Sequence, residues 1–200
     1  MASALSSINS VDIATIYDKF PRVKREKNLF FKELKLSTKN IFGGALLKNS
    51  HAKEQRPIST KRAMHLVLRS LMCKGELSLL TSKNARRVEE IIRTQGKKLG
   101  VKIYRLANSG NHLHLLVCPK SRHSFQSFLR AISGLIPRAV LDVERGRAKE
   151  IKFWDKRPFS RIVEWGKDFS RVKRYLQLNI LEATGFVGLE ISEVSGRGFG

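Results

Sequence analysis

From residue 62 onward the chain moves between two hydrophobic periods. Arg62–Ser70 carries Met64, Leu66 and Leu68 at every second position, with His65, Val67 and Arg69 between them. That is the pattern of a strand with one buried face. Ala85–Gln95 shifts to helical spacing, with Val88, Ile91 and Ile92 on one side, Arg86, Arg87 and Arg93 elsewhere, and Gly96 as the expected stop. Val101–Leu106 and His112–Val117 predict two strands joined across Asn108-Ser109-Gly110-Asn111, a turn-rich hairpin connection. Phe125, Phe128, Leu129, Ile132, Leu135, Ile136 and Ala139 then recur at three and four, predicting a second helix. Ile151–Trp154 and Phe159–Trp165 predict two further strands around Lys156-Arg157-Pro158. A last helix over Lys167–Leu181 is predicted by the stripe Phe169, Val172, Leu176, Ile180.

Strand, helix, strand, strand, helix, strands, helix is the order of an α+β fold, an antiparallel ferredoxin-like (RRM-like) sheet with helices on one face. The last helix is then expected across the other face. Leu113, Leu115 and Val117 would face the first two helices, which leaves His112 and His114 on the opposite side.

Charge changes the picture. Lys and Arg number 39 against 17 Asp and Glu, a formal net charge of +22. Such an excess repels itself in a compact fold, so a polyanionic partner is expected, and nucleic acid is preferred to acidic lipid. No membrane is implied, since neither a bilayer-spanning apolar run nor a signal-peptide pattern is present. Cys73 and Cys118 are the only cysteines, which excludes a disulfide framework and suits a reducing cytoplasm, with the nucleoid as the place of action. Residues 1–56 hold 11 Lys and Arg against 5 Asp and Glu, with Phe20, Phe30, Phe31 and Phe42 scattered among them. They read as a basic arm before a domain at 57–190 and a tail at 191–200. Docking of that arm by its phenylalanines is an equal alternative.

The candidate chemistry starts at Asn111-His112-Leu113-His114. Side chains two apart on a strand share a face at ~6.5–7 Å, so two imidazoles can grip one divalent ion. Tyr175 and Asn179, at i and i+4 of the last helix, lie on one flank. If that helix crosses the open face, Asn179 can add a carbonyl oxygen and Tyr175 can reach a phosphate held there. His65 shares the phase of Val67 and Arg69, which allows it to face the site, although a structural histidine is the preferred reading. His51 and His123 sit in polar stretches and receive no role. Tyr17 and Tyr104 lack an i+4 amide in a basic helix.

His-hydrophobic-His on a central strand followed by a helical tyrosine resembles the HUH single-strand endonucleases. Tyr175-x-x-x-Asn179 is most similar to the REP-associated tyrosine transposases, within the insertion-sequence-200-like group. Phe153-Trp154-Asp155-Lys156-Arg157, leading to Phe159 and Ile162-Val163, resembles the aromatic hairpin of that family. The resemblance spans roughly 60–187. Ile180 stands where family members usually have Pro, although Gly185-Phe186-Val187 follows soon after.

The resemblance implies metal-dependent nicking and rejoining of single-stranded DNA. Mg²⁺ or Mn²⁺ would be held by His112, His114 and Asn179, and Tyr175 would be the nucleophile of a 5′-phosphotyrosine link. The expected partners are single-stranded or hairpin DNA, engaged by a monomer or by a homodimer that exchanges the tyrosine helix. Arg69, Arg105, Lys120, Lys156, Arg157, Arg161 and Arg171 are candidates for phosphate contacts, and Trp154 and Trp165 for base stacking. A second class of function stays open: a domesticated relative or RNA-binding module that holds nucleic acid without cutting it.

Overall fold

The computed structural model describes residues 40–44, 55–144 and 151–184. The expectations placed on residues 1–39, on His51, on Gly185-Phe186-Val187 and on the tail at 191–200 lie outside them. Among the described residues five strands form one sheet: β1 (Ile41–Phe42), β2 (Ala63–Arg69), β3 (Val101–Asn108), β4 (His112–Pro119) and β5 (Phe159–Val163). Among the described residues three α-helices accompany it: α1 (Ser82–Lys98), α2 (Arg122–Leu141) and α3 (Lys167–Ala183). The spatial order is β1-β5-β2-β4-β3, with antiparallel pairing throughout. The chain is thus α+β with an antiparallel sheet, as the hydrophobic pattern requires.

One face of the sheet makes the core. Met64, Leu66 and Leu68 of β2 and Leu113, Leu115 and Val117 of β4 pack with Val88 and Ile92 of α1 and with Phe125, Phe128, Ile132 and Ile136 of α2. Each such side chain, fully buried, contributes about 1.5–3 kcal/mol. Both helices start on hydroxyl caps: Thr81 Oγ1 accepts from the Asn84 N–H and Ser121 Oγ from the Ser124 N–H. Among the described residues no helix is long and apolar enough to cross a membrane.

Three local expectations change. Ile151–Trp154 is not a strand. Phe153 is buried in the core, Trp154 donates its indole N–H to the Ser133 carbonyl at 2.9 Å, and the Asp155 N–H is bonded to the Arg69 carbonyl. The side chains of Phe153 and Trp154 pack on the core and on α2 instead of belonging to a paired strand. Gly96 does not end α1, which runs on to Lys98. It is a site of close approach: a Cβ there would lie 2.7 Å from Ile103 Cδ1 and 3.1 Å from the Val101 carbonyl oxygen. The sheet also gains β1 from within the stretch read as an arm, Ile41 pairing with Arg161 and Phe42 with Ser160. Arg56 stacks on Phe42, 4.4 Å from the ring centre, and donates to Ser160 Oγ and the Pro158 carbonyl. This ties β1 to β5.

Candidate active site on the open face of the sheet

The turn before β4 fixes where its first histidine stands. Asn108 donates to the Leu79 carbonyl at 2.7 Å and accepts from the Gly110 N–H at 3.0 Å, while the Ser109 N–H meets the His112 carbonyl. Register then does the rest. Arg69 of β2 lies opposite His112, Val67 opposite His114 and His65 opposite Leu116, and directly paired residues share a face. His65, His112 and His114 therefore gather on the side away from α1 and α2. The His112 and His114 rings are 4.7 Å apart at 72°. His65 stacks on His114 with centroids 5.4 Å apart, and its Nε2 lies 3.2 Å from His114 Nδ1.

Helix α3 closes this face. It leaves β5 through Gly166, whose φ of 87° would strain any side-chain-bearing residue. Arg161, buried on β5, makes a bidentate pair with Asp168 in the first turn of α3, at 3.0 and 2.9 Å. Asp168 also accepts from the Glu164 N–H at 3.1 Å. A carboxylate at a helix start is favoured by the helix dipole, and this clamp fixes the first turn of α3 to β5. The buried stripe of the helix is Val172, Tyr175, Leu176 and Asn179. It is laid on the sheet by helical period. Tyr175 is 7% exposed, its ring edge-on to His114 (centroids 5.6 Å) and to His65 (6.3 Å). Asn179 is buried one turn on, its amide nitrogen donating to the Tyr175 carbonyl at 2.8 Å. The helix continues past Ile180 to Ala183, so the absence of a proline there leaves both residues in one continuous helix.

The family model described as "Transposase IS200 like" matches residues 59–179. The chain belongs to this family of transposases. Among solved structures, the fold resembles a REP-associated tyrosine transposase bound to a REP hairpin (TM-score 0.50, 16% identity, 68% of this chain and 76% of that one). A protein of Deinococcus radiodurans R1 assigned as a transposase is also similar (TM-score 0.39, 16% identity, 64% and 97% covered). No curated protein matches the chain.

In this IS200-like transposase, two imidazoles and an amide oxygen make a mixed nitrogen and oxygen donor set with which a divalent ion is compatible. His112 Nδ1 is hydrogen-bonded to Asn111 Oδ1, and His114 Nδ1 faces His65. Burial, with the Arg161 guanidinium nearby, pushes His65 down to about 3, so it stays neutral. In the tautomer in which the His114 Nδ1–H donates to His65 Nε2 and the His112 Nδ1–H to Asn111 Oδ1, both outer histidines carry their lone pairs on Nε2. Metal-binding histidines are held this way, with the second ring nitrogen engaged. Among the described residues no group of three or more His, Cys, Asp and Glu is disposed to hold a metal. Such an ion would depend on His112, His114 and an amide oxygen, as from Asn179.

The remaining sequence candidates divide by environment. Lys120, Lys156, Arg157 and Arg171 are exposed. Arg69 is exposed and 3.7 Å from Asp155, and Arg105 donates to Gln177 Oε1 at 3.1 Å. Arg161 faces Asp168 from a buried position, which is a structural post. Trp154 is anchored beside Phe153 in the core layer, whereas Trp165 is 48% exposed. His65 is the residue that the sequence allows on this face but for which a structural role is the preferred reading there. Its phase with Arg69 was visible, but only the β2–β4 register puts it against His114.

Proposed function

We propose that the chain nicks and rejoins single-stranded DNA, including the strand flanking a hairpin, through a covalent link to Tyr175. The family membership, the excess of positive charge and the hairpin bound by the similar REP-associated transposase all support a DNA substrate. The observation that carries the reading is the packing of the Tyr175 ring on His114 and His65, with Asn179 one turn away.

His112 and His114 would hold Mg²⁺ or Mn²⁺ through Nε2 with the carbonyl oxygen of Asn179. When bound, the ion supplies Lewis-acid polarisation of the scissile phosphate. His65 keeps His114 in the required tautomer. Tyr175 attacks the phosphorus: a P–O bond to the phenol oxygen forms, the bond to the 3′ oxygen breaks, and the phenol proton is replaced on that 3′ oxygen by way of solvent. The 5′ phosphate stays esterified to the protein. Because a phosphodiester is exchanged for a phosphodiester, a later 3′-hydroxyl can run the step backwards and join strands. Fixing Tyr175 on a rigid helix removes the orientational part of the barrier.

Incubation with end-labelled single-stranded DNA and Mn²⁺ tests this. A labelled band that survives denaturing electrophoresis at protein mass is expected, and it should vanish in Tyr175→Phe with DNA affinity nearly unchanged. Binding with no adduct in the unmodified protein would leave only the role of a nucleic-acid holder.

A further inference from the structure

A groove of ≈410 Å³ opens where α1 turns into β3, outside the histidine pocket. That volume is in the range that accommodates a nucleotide-sized group. Lys97, Lys102, Lys120, Gly100, Tyr104 and Cys118 are among its walls, and no carboxylate lines it. All three lysines are exposed. Lys97, in the last turn of α1, suits the helix dipole, but no such role accounts for Lys102 or Lys120. Lys102 pairs with Cys118 on β4, two pleats from His114 on the same strand face, or ~13 Å at strand rise.

The wall at Tyr104 continues into an aromatic cluster. Tyr104 meets Trp165 edge-on at 5.7 Å and Phe169 at 5.3 Å, and Trp165 and Phe169 lie 4.9 Å apart. Lys102 Nζ stands 5.1 Å from the Tyr104 ring centre. Phe169 is half-buried and holds the start of α3 on β3. Trp165 differs: it is 48% exposed, and its indole N–H is bonded to the Lys61 carbonyl at 2.8 Å. An indole clamped by its edge with half its surface in water is a preformed platform. Cations beside aromatic faces are the chemistry that grips single strands, phosphates on the first and bases on the second.

We propose that this groove is a second nucleic-acid contact. It holds single-stranded DNA next to the bond cut at Tyr175, with phosphates on Lys97, Lys102 and Lys120 and a base against Trp165. The placement beside a cut bond rests on the function proposed above; the grip on single strands does not.

The chain has two tryptophans, so Trp154→Phe leaves Trp165 as the sole reporter. In full-length Trp154→Phe protein, oligo-dT is expected to quench the Trp165 emission. Trp165→Leu should weaken oligo-dT binding about 5- to 150-fold, the range for one lost stacking partner. Replacing Lys97, Lys102 and Lys120 together by Ala should flatten the dependence of log K on log salt by about 2, since each single-strand phosphate contact contributes ~0.7. These exposed lysines serve as the second variant should Trp165→Leu fail to fold by circular dichroism. Unchanged emission on oligo-dT binding, or an unchanged salt slope in the lysine variant, overturns the proposal. So does quenching by acidic phospholipid vesicles with none by oligo-dT. Tyr175→Phe separates the two readings: it should abolish the adduct and keep the quench.

Discussion

Replacing Asp168 by Ala removes the carboxylate that holds Arg161. Arg161 has only 5% of its side chain exposed and Asp168 25%, so the variant strands a buried guanidinium without its counter-charge. It also deletes two charge-assisted hydrogen bonds to Arg161 and the acceptor for the Glu164 N–H. Breaking a buried pair from one side costs ~3–5 kcal/mol. The partial exposure of Asp168 lets water reach the gap, which puts the expected loss near ~3 kcal/mol. That is a large share of the ~5–15 kcal/mol that stabilises an ordinary domain. Urea unfolding at neutral pH measures it, with linear extrapolation to water. The double replacement Arg161→Met with Asp168→Leu should recover most of the loss, because an apolar pair of similar volume leaves no charge stranded. The adduct rate of Asp168→Ala should fall by more than its folded fraction, since the start of the helix bearing Tyr175 is released. A loss below ~1 kcal/mol, or a double variant as unstable as the sum of the singles, would refute the clamp.

Other outcomes follow from particular contacts. His65→Ala should lower Mn²⁺ affinity ~10- to 100-fold, read by electron paramagnetic resonance of free Mn²⁺, because His114 loses the partner that sets its tautomer. Unaltered affinity would make His65 a packing residue only. Gly96→Leu should cost at least ~1–3 kcal/mol in thermal or urea unfolding, since its side chain must enter space held by Ile103 and the Val101 carbonyl. Asn108→Ala forfeits bonds to Leu79 and Gly110, each contributing ~0.5–1.5 kcal/mol, and should lower stability by about 1–3 kcal/mol. Phe128→Ala should cost ~3–5 kcal/mol by opening a cavity between α2 and the sheet.

Much of this arrangement was legible wherever one face of an element is buried and the other is not. Met64, Leu66 and Leu68, and Leu113, Leu115 and Val117, are assigned to the core by alternation, and the same alternation sends His112 and His114 to the open face. The helix stripe that buries Val172 and Leu176 necessarily carries Tyr175 and Asn179 with it, since they lie within one turn. What escaped was tertiary. Phe153 and Trp154 look like strand residues because they are aromatic and apolar, but the core takes up their side chains without backbone pairing. Gly96 resembles a helix stop until β3 is seen pressing on it. β1, only two residues long, carries no periodicity to detect, and its existence depends on the edge of β5. His65 needed a register, which no single strand contains. Trp165 and Trp154 were equivalent in sequence; their different exposures follow from where the segments around them are fastened.

Only Glu164, Trp165 and Gly166 separate the end of β5 from the start of α3. Arg161 and Asp168 span that link, so moving the helix of Tyr175 off the histidines of its own chain would first require this ion pair to break. After a cut of the kind proposed, the captured 5′ end would stay parked over the sheet while the other end departs and a new one arrives. Travel would then fall to the DNA, and stillness to the protein.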